Sequence, residues 1–332
     1  MRSLLRYTFV LGAALVIGCK KKDPKSNIDT SVNSNTPVFT IYNSANTSLL
    51  SNKINHICID NTGQLWFATN NGLSRYNGST WSTFDSISNP FPSKVFNCVK
   101  QDNAGNIWAG TNNGLLKFNG ASWQTFNTSN SNIPSNRIRS LAIDISNNIW
   151  IGTYSGGGLA RYDGTVWSIY TPTNSGLPNN SVGTLAFDNT GILWIGTGGG
   201  LTKFDGTSWT TYFTGNSGLP NNNVYSIAID SAGVKWIGTN GGLTKFDGTV
   251  WSTYTSGNSS LPINLVRPIA CFQNNIKWIG TEGDGVVSFD NIKWNVFNSL
   301  NTNFPDNFIN AIVIDSNGKK WIGTNNGIVL IP

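Results

Sequence analysis

Histidine is almost absent from this sequence. The 332 residues include a single histidine, His56, and a single methionine. A metal site built from several histidines is therefore excluded, and a Ser-His-Asp triad would have to depend on His56 alone. We expect neither a metal nor a cofactor, and the composition offers little support for an enzyme.

Charged side chains are also scarce, since Asp, Glu, Lys and Arg together make up 11% of the chain. The formal net charge is +6, but residues 1–36 contribute +4 of it, so residues 37–332 carry only +2. Nucleic-acid binding usually requires a basic patch or stripe. We therefore expect no nucleic-acid partner, and the many Asn, Ser, Thr and Gly residues predict a surface of neutral hydrogen-bonding groups.

Cysteine is limited to four residues. Cys19 lies near the N-terminus, whereas Cys58, Cys98 and Cys271 each fall inside a predicted inner strand. A cysteine in a strand interior usually behaves as a small buried hydrophobe. We predict three buried free thiols in preference to a disulfide.

A tryptophan-centred repeat runs through the chain at a spacing of 42 to 44 residues, which is typical of four-stranded propeller blades. Its copies are centred on Trp66, Trp108, Trp150, Trp194, Trp236, Trp278 and Trp321. In the fifth copy, four short apolar runs are separated by turn sequences, including the hairpin signal Asp247-Gly248. We predict an all-β fold over residues 37–332: a seven-bladed propeller of four-stranded antiparallel blades, with strands A to D running from the channel outwards.

The two ends of the chain are predicted to share one blade. The seventh copy stops at Pro332 before a strand D, whereas Pro37–Tyr42 resembles the strand D of other copies. The interval from Phe39 to Ile54 is 15 residues, as it is between strand D and the next strand A in the six internal junctions. We expect the N-terminal strand to complete the last blade, because closure removes two unpaired sheet edges.

The first 36 residues have the pattern of a secreted, lipid-anchored protein. Residues 1–18 combine a basic start with an apolar run too short to span a bilayer, as in a signal peptide. Val16–Cys19 resembles a bacterial lipobox, which implies cleavage before Cys19 and acylation of that residue. Residues 19–36 are then the lipidated cysteine and a polar tether. We predict attachment to a membrane of the cell envelope, with the outer membrane favoured, through this lipid.

Repeated residues are interpreted as structural. Thirteen tryptophans could suggest sugar stacking, but seven occupy one strand-B position and six one strand-D position, so packing between blades is favoured. His56 lies where other copies have residues such as Cys98 and Ser140, which favours a packed neutral histidine. The repeated aspartates, of which Asp230 is one, open the turn after strand A and are interpreted as turn residues.

Positions that differ between copies are candidates for binding. Two turns between strands B and C are longer than the others, Tyr154–Gly158 in blade 3 and Glu282–Gly285 in blade 6. Insertions on one face of a repeat protein often mark its binding face. The second residue of strand A, at the channel mouth, also varies: it is Asn55, Asn97, Arg139, Gly183, Tyr225, Arg267 and Asn310 in turn.

These two observations define one candidate ligand site. We expect Tyr154 and Tyr225 to stack on a polar ligand, and Arg139 and Arg267 to donate hydrogen bonds to it. Glu282 and Asp284 are expected to accept hydroxyl protons from the opposite side of the mouth. The alternative is that exposed turns simply vary without constraint.

The repeated Trp-Ile-Gly-Thr, Gly-Gly-Leu and Lys-Phe-Asp-Gly segments resemble the two-component-regulator propeller repeats of periplasmic sensors in Bacteroidota. The resemblance covers residues 37–332 and implies a propeller that binds ligands, in several cases glycan fragments. No second propeller, kinase or DNA-binding module is recognisable, so we expect a stand-alone lipoprotein that binds a glycan or small polar ligand. The alternatives are a protein-interaction scaffold in an envelope complex and, less favoured, an enzyme resembling streptogramin lyases.

Overall fold

The structure, a computed structural model, describes residues 37–154, 156–272 and 276–332. Within these residues every regular element is a β-strand, and the strands form seven four-stranded antiparallel sheets. The predicted seven-bladed propeller is confirmed. The predicted signal peptide (1–18), the acylated Cys19 and the tether (19–36) lie outside the described residues.

Each of the first six blades is a continuous stretch of chain, with its strands ordered from the central channel to the outer edge. Blade 1 contains β2 (Ile54–Ile59), β3 (Leu65–Thr69), β4 (Gly72–Tyr76) and β5 (Trp81–Phe84). Blade 2 contains β6 (Phe96–Gln101), β7 (Ile107–Thr111), β8 (Gly114–Phe118) and β9 (Trp123–Phe126). Blade 3 contains β10 (Ile138–Ile143), β11 (Ile149–Thr153), β12 (Leu159–Tyr162) and β13 (Trp167–Tyr170). Blade 4 contains β14 (Val182–Phe187), β15 (Leu193–Thr197), β16 (Gly200–Phe204) and β17 (Trp209–Tyr212). Blade 5 contains β18 (Val224–Ile229), β19 (Lys235–Thr239), β20 (Gly242–Phe246) and β21 (Trp251–Tyr254). Blade 6 contains β22 (Val266–Cys271), β23 (Lys277–Thr281), β24 (Val286–Phe289) and β25 (Trp294–Phe297).

Blade 7 is assembled from both ends of the described chain. Its sheet has the order β1-β28-β27-β26, where β1 is Thr40–Tyr42, β26 Ile309–Ile314, β27 Lys320–Thr324 and β28 Gly327–Ile331. The strand β1 pairs antiparallel with β28, which confirms the predicted closure. It is shorter than predicted, because the main chain of Phe39 bonds instead to the side chain of Asn303, through two hydrogen bonds of 2.8 Å.

Neighbouring blades are held together by shared apolar clusters. One cluster combines Cys98, Trp108 and Leu115 of blade 2 with Ile138 and Ile151 of blade 3, all of them buried. The strand-B and strand-D tryptophans pack in these layers, as predicted. The close approach explains the glycine two positions after the strand-B tryptophan in blades 2 to 7: a Cβ on Gly110 would lie 2.5 Å from Ile138 Cγ2, so the neighbouring side chain would have to shift. Blade 1 has the small residue Ala68 at this position.

The repeated aspartates do more than open a turn. Asp102 Oδ1 accepts the backbone N–H groups of Ala104 and Asn106 at 3.0 and 2.8 Å, while Oδ2 accepts the indole N–H of Trp108 at 2.8 Å. Each carboxylate therefore clamps its turn to the tryptophan of the same blade. The pair occurs as Asp60–Trp66, Asp102–Trp108, Asp144–Trp150, Asp188–Trp194, Asp230–Trp236 and Asp315–Trp321. Blade 6 has Phe272 at the position of the aspartate.

Every inner strand contains an irregularity at its second residue. In blade 3 the pairing of β10 with β11 runs from Ile138 opposite Thr153 directly to Ser140 opposite Gly152, so Arg139 is left out of the ladder. The same shift occurs after the first residue of the other six inner strands. A β-bulge re-aims the extra side chain. In this fold it places one variable residue per blade at the mouth of the channel.

Candidate functional site

The channel mouth is built from seven pairs of residues. One member of each pair is the bulged residue of strand A, and the other follows strand B, fifteen positions later in the chain. We call them rim pairs. In blade order they are Asn55–Asn70, Asn97–Asn112, Arg139–Tyr154, Gly183–Gly198, Tyr225–Asn240, Arg267–Glu282 and Asn310–Asn325.

Three adjacent blades, 7, 1 and 2, close their rim pairs with asparagine. The side-chain amides of Asn55, Asn97 and Asn310 donate to the partner asparagine at 2.9, 2.9 and 3.0 Å. Asn55 and Asn97 donate in addition to the backbone carbonyl of the next blade, at 2.8 and 2.9 Å. These amides bond within the fold, and we call blades 7, 1 and 2 the sealed side for that reason. Asn97 and Asn112 of blade 2 also form one edge of the cavity described next.

On the other side of the mouth lies a cavity of about 620 Å³. The rim pairs of blades 3 to 6 contain no asparagine pair, and the Gly183–Gly198 pair of blade 4 leaves space between its neighbours. Four of the six predicted ligand-binding residues, from three different blades, line this cavity: Arg139, Tyr154, Tyr225 and Arg267. Its volume is within the range of small-molecule sites.

Two arginine–tyrosine contacts shape the cavity wall. The guanidinium of Arg267 lies over the ring of Tyr225 at 4.5 Å, and that of Arg137 over the ring of Tyr154 at 5.0 Å. The Tyr154 N–H also donates to the carbonyl of Arg137 at 2.9 Å. Cation–π contacts of this kind hold a planar cation and a ring in a fixed arrangement. Tyr154 remains 48% exposed, facing the mouth.

The two predicted acidic acceptors are not part of the cavity lining. Glu282 is the rim partner of Arg267, and its Oε2 accepts from Arg267 Nε at 2.6 Å and lies 2.5 Å from the terminal Nη2. Asp284 stays in the turn between β23 and β24, where its N–H donates to Thr281 Oγ1 at 3.1 Å. Glu282 therefore acts on the cavity through Arg267, and Asp284 does not reach it.

Arg139 differs from the other arginines of the mouth. Among the described residues, no carboxylate or hydrogen-bond acceptor pairs with its guanidinium. Desolvation within the channel, and to a smaller extent the positive charge of Arg267, lower the pKa of Arg139 from its usual value. The side chain is nevertheless open to solvent through the channel, so a small ligand could reach it.

A second cavity of about 330 Å³ lies deeper in the channel, lined by the inner strands. Arg139, Tyr225 and Arg267 line both cavities. His56 lines the deeper one, and burial lowers its pKa to about 3, helped by the positive charges of Lys100 and Arg139. The histidine is thus neutral, and its Nδ1 has no hydrogen-bond partner among the described residues.

Most blades of the propeller match a known family of repeats. The profile described as "two component regulator propeller" matches six segments, at residues 48–71, 90–113, 132–155, 176–199, 218–241 and 303–326. Six of the seven blades therefore carry the two-component-regulator propeller repeat. The corresponding segment of blade 6 is not among those matched, in agreement with its Phe272 and its Arg267–Glu282 pair. No curated protein matches the sequence.

Solved structures share the fold. The extracellular domain of a hybrid two-component system from B. thetaiotaomicron is 25% identical, with a TM-score of 0.76, over 89% of this chain and 41% of that one. PorZ, a surface component of the type-IX secretion system of Porphyromonas gingivalis, is 19% identical, with a TM-score of 0.71, over 84% of this chain and 46% of its own. A streptogramin B lyase is 15% identical, with a TM-score of 0.71, over 88% and 96%. The chain thus spans about two fifths of the length of the sensor domain.

Three residues that line the larger cavity were not predicted from the sequence. Arg137, Ser181 and Asn223 precede strand A in blades 3, 4 and 5, and all three line the larger cavity. Their position varies between copies as much as the bulge position does, from Lys53 in blade 1 to Phe308 in blade 7. The same comparison of repeats, applied two residues before the bulge position, would therefore have found them.

Neither a metal-binding cluster nor a membrane-spanning helix is present in the described ranges 37–154, 156–272 and 276–332. Within them, no group of three or more His, Cys, Asp or Glu residues is placed to hold a metal ion. In the same ranges no helix is long and apolar enough to cross a membrane.

Proposed function

We propose that this propeller is a ligand-binding protein of the cell envelope, which takes a glycan or another small polar molecule into the larger cavity of the channel mouth. The observation that carries the proposal is the convergence of Arg139, Tyr154, Tyr225 and Arg267 on one cavity of about 620 Å³. These residues come from positions that the fold leaves free, since other blades fill them with asparagine or glycine.

The chemistry of the lining suits a polar ligand. Tyrosine rings offer flat apolar faces on which a sugar ring can rest, while guanidinium and amide groups provide donors around them. Ser181 and Asn223 add neutral polar groups to the wall. A few directed polar groups in a concave site are typical of small-molecule recognition.

The envelope setting is part of the same proposal. The solved relatives include an extracellular sensor domain and a bacterial surface component. A lipid on Cys19 would hold the propeller at the outer membrane, with residues 20–36 as the tether between them. Any signal that follows binding would have to be passed on through a second protein of the envelope.

Catalysis is not part of the proposed function, although the lyase relative shares the fold. The one histidine, His56, has a pKa of about 3, which makes it a poor general base at neutral pH. Burial raises the pKa of the Cys98 thiol to about 12, so this cysteine is a poor nucleophile.

A protein-interaction scaffold is the second candidate. The loops from strand D to the next strand A lie on the same face as the cavity, and three of them carry exposed apolar side chains. Ile87 and Leu300 are each 91% exposed, and Phe213 is 42% exposed. Single exposed apolar residues are normal on a protein surface, so the main support for this candidate is the similarity to PorZ, which is itself a component of a secretion system.

A thermal-shift screen of the purified protein against a glycan library tests the first candidate. A ligand at 100 times its dissociation constant stabilises the folded state by about 2.7 kcal/mol. The shift should be lost in Tyr225→Ala and kept in Lys53→Ala, a matched change on the same face in sealed blade 1. A shift that survives in Tyr225→Ala would place the ligand elsewhere, and binding that fails only when several loops are changed together would favour the scaffold.

A further inference from the structure

We propose that the ligand of the mouth cavity is an anion, a small polyhydroxylated molecule with a carboxylate, sulfate or phosphate group that binds to Arg139. This inference rests on the proposed function and deepens it, because it names the chemical class of the ligand and the residue that reads its charge. The argument comes from the charges around the cavity and from the partners of each arginine.

The cavity lining is strongly cationic in a protein that is nearly neutral. Arg137, Arg139 and Arg267 line it, and no Asp or Glu of the described part of the chain does. Glu282, which pairs with Arg267 from outside the lining, offsets one of the three charges. Residues 37–332 carry a net charge of only +2, so these arginines are a local concentration of positive charge and not part of a general basic surface. A confined site of one sign attracts ions of the other.

The three arginines are not equivalent. Arg267 is held between Glu282 and the ring of Tyr225, and Arg137 stacks on Tyr154. Both have a structural role in the wall. Arg139 has no ion pair and no hydrogen bond to any described residue, although its planar guanidinium offers five N–H donors in a geometry that matches carboxylate, sulfate or phosphate oxygens.

The position of Arg139 fits this role. It lines both the larger cavity and the deeper one, so its guanidinium stands at the level where the mouth narrows into the channel. The surroundings disfavour its charged form through desolvation and through Arg267. An anion bound there would offset both effects, because its negative charge favours the charged form of Arg139. The neutral groups of Ser181 and Asn223, nearer the mouth, would then face the hydroxyl groups of the same ligand.

Paired probes test the inference directly. Binding of glucuronate, glucose 6-sulfate, glucose 6-phosphate and neutral glucose to the full-length protein is measured calorimetrically at constant ionic strength. At least one of the three anions should bind on the order of tenfold or more tightly than glucose. Arg139→Gln should abolish this preference, and Arg139→Lys should retain part of it, since a lysine keeps the charge but not the bidentate geometry.

The control variant is Lys53→Gln, which removes one positive charge from the same face at a sealed blade and should leave the preference unchanged. The anion assignment is overturned if glucose binds as tightly as every anion, or if Arg139→Gln leaves the preference intact. A neutral glycan that stabilises the wild type but not Tyr225→Ala would overturn the anion assignment and keep the proposed function. A failure of every charged and neutral probe contradicts both.

Discussion

The sealed and open sides of the channel mouth share one backbone and differ in what their side chains are used for. In blades 7, 1 and 2 the bulged residue is an asparagine that bonds to a second asparagine across the turn. In blades 3 to 6 the rim pairs contain no such asparagine pair, and Arg139, Tyr154, Tyr225 and Arg267 line a cavity there. The bulge therefore places one residue of every blade at the mouth, and the sequence decides whether that residue bonds across the rim or is available for binding.

Away from the mouth, the two sides are alike. The aspartate–tryptophan clamp is present in blades 1, 2 and 7 and also in blades 3, 4 and 5. Blade 6, with Phe272 in place of the aspartate, is the exception, and in the other six blades the difference is confined to the mouth of the channel. We expect the sealed side to contribute to stability at its rim and the open side to contribute to binding, and each experiment below can break or sharpen that division.

The largest effect is expected from opening the sealed side at blade 7. Deleting residues 37–43 removes β1 together with Phe39, whose ring packs edge-on against Phe297 and Phe304 at 6.0 and 5.9 Å. The loss of an outer strand and a large, half-buried ring should lower the free energy of unfolding by roughly 3–5 kcal/mol. Urea denaturation measures it against a protein that begins at residue 37. Equal midpoints for the two proteins would contradict closure by β1.

The clamps should contribute equally on the two sides. Asp102→Ala in sealed blade 2 and Asp144→Ala in open blade 3 each remove a charged acceptor that holds a turn, an asparagine amide and an indole N–H. We expect losses of about 2–3 kcal/mol for each. In denaturant titrations, Asp163→Ala provides the control, because this exposed turn aspartate holds no indole. Losses that differ by more than about 1 kcal/mol would mean that the two sides differ in more than the mouth.

How far the sequence determines these features can be judged residue by residue. Repetition made the fold predictable: a tryptophan every 42 to 44 residues and a constant interval before Ile54 were enough to close the ring. It also revealed Arg139, Tyr225 and Arg267, because a position that varies among seven copies is not required by the fold. The Arg267–Glu282 ion pair was not predicted, since nothing in the sequence shows that the bulge turns these two residues towards each other. The direction of the Glu282–Gly285 turn, which keeps Asp284 away from the cavity, likewise depends on local backbone geometry.

Acid should affect the sealed side through His56. The folded-state pKa of this histidine, about 3, is below its usual value of 6.5. The unfolded chain therefore binds a proton that the folded chain does not, so stability is complete above pH 6.5 and is lost as the pH falls towards 3. Between pH 6 and pH 4.5, the wild type should lose up to about 2 kcal/mol more than His56→Ser, whose serine is the residue of blades 3 and 5. Parallel losses in urea titrations at the two pH values would show that His56 is protonated in the folded state.

The smallest expected effect is also the most direct test of the division between the two sides. Asn55→Ala removes two hydrogen bonds of the sealed rim, at 2.9 Å to Asn70 and 2.8 Å to Phe96, and should cost about 1 kcal/mol of stability without changing ligand binding. Tyr154→Ala, at the open rim, removes a half-exposed ring and should change stability by no more than about 0.5 kcal/mol while weakening binding. Chemical denaturation and calorimetry on both variants separate the two outcomes. If Tyr154→Ala proves as destabilising as Asn55→Ala, the stack of Tyr154 on Arg137 closes the ring as the asparagines do, and the open side would be reduced to Arg139, Tyr225 and Arg267.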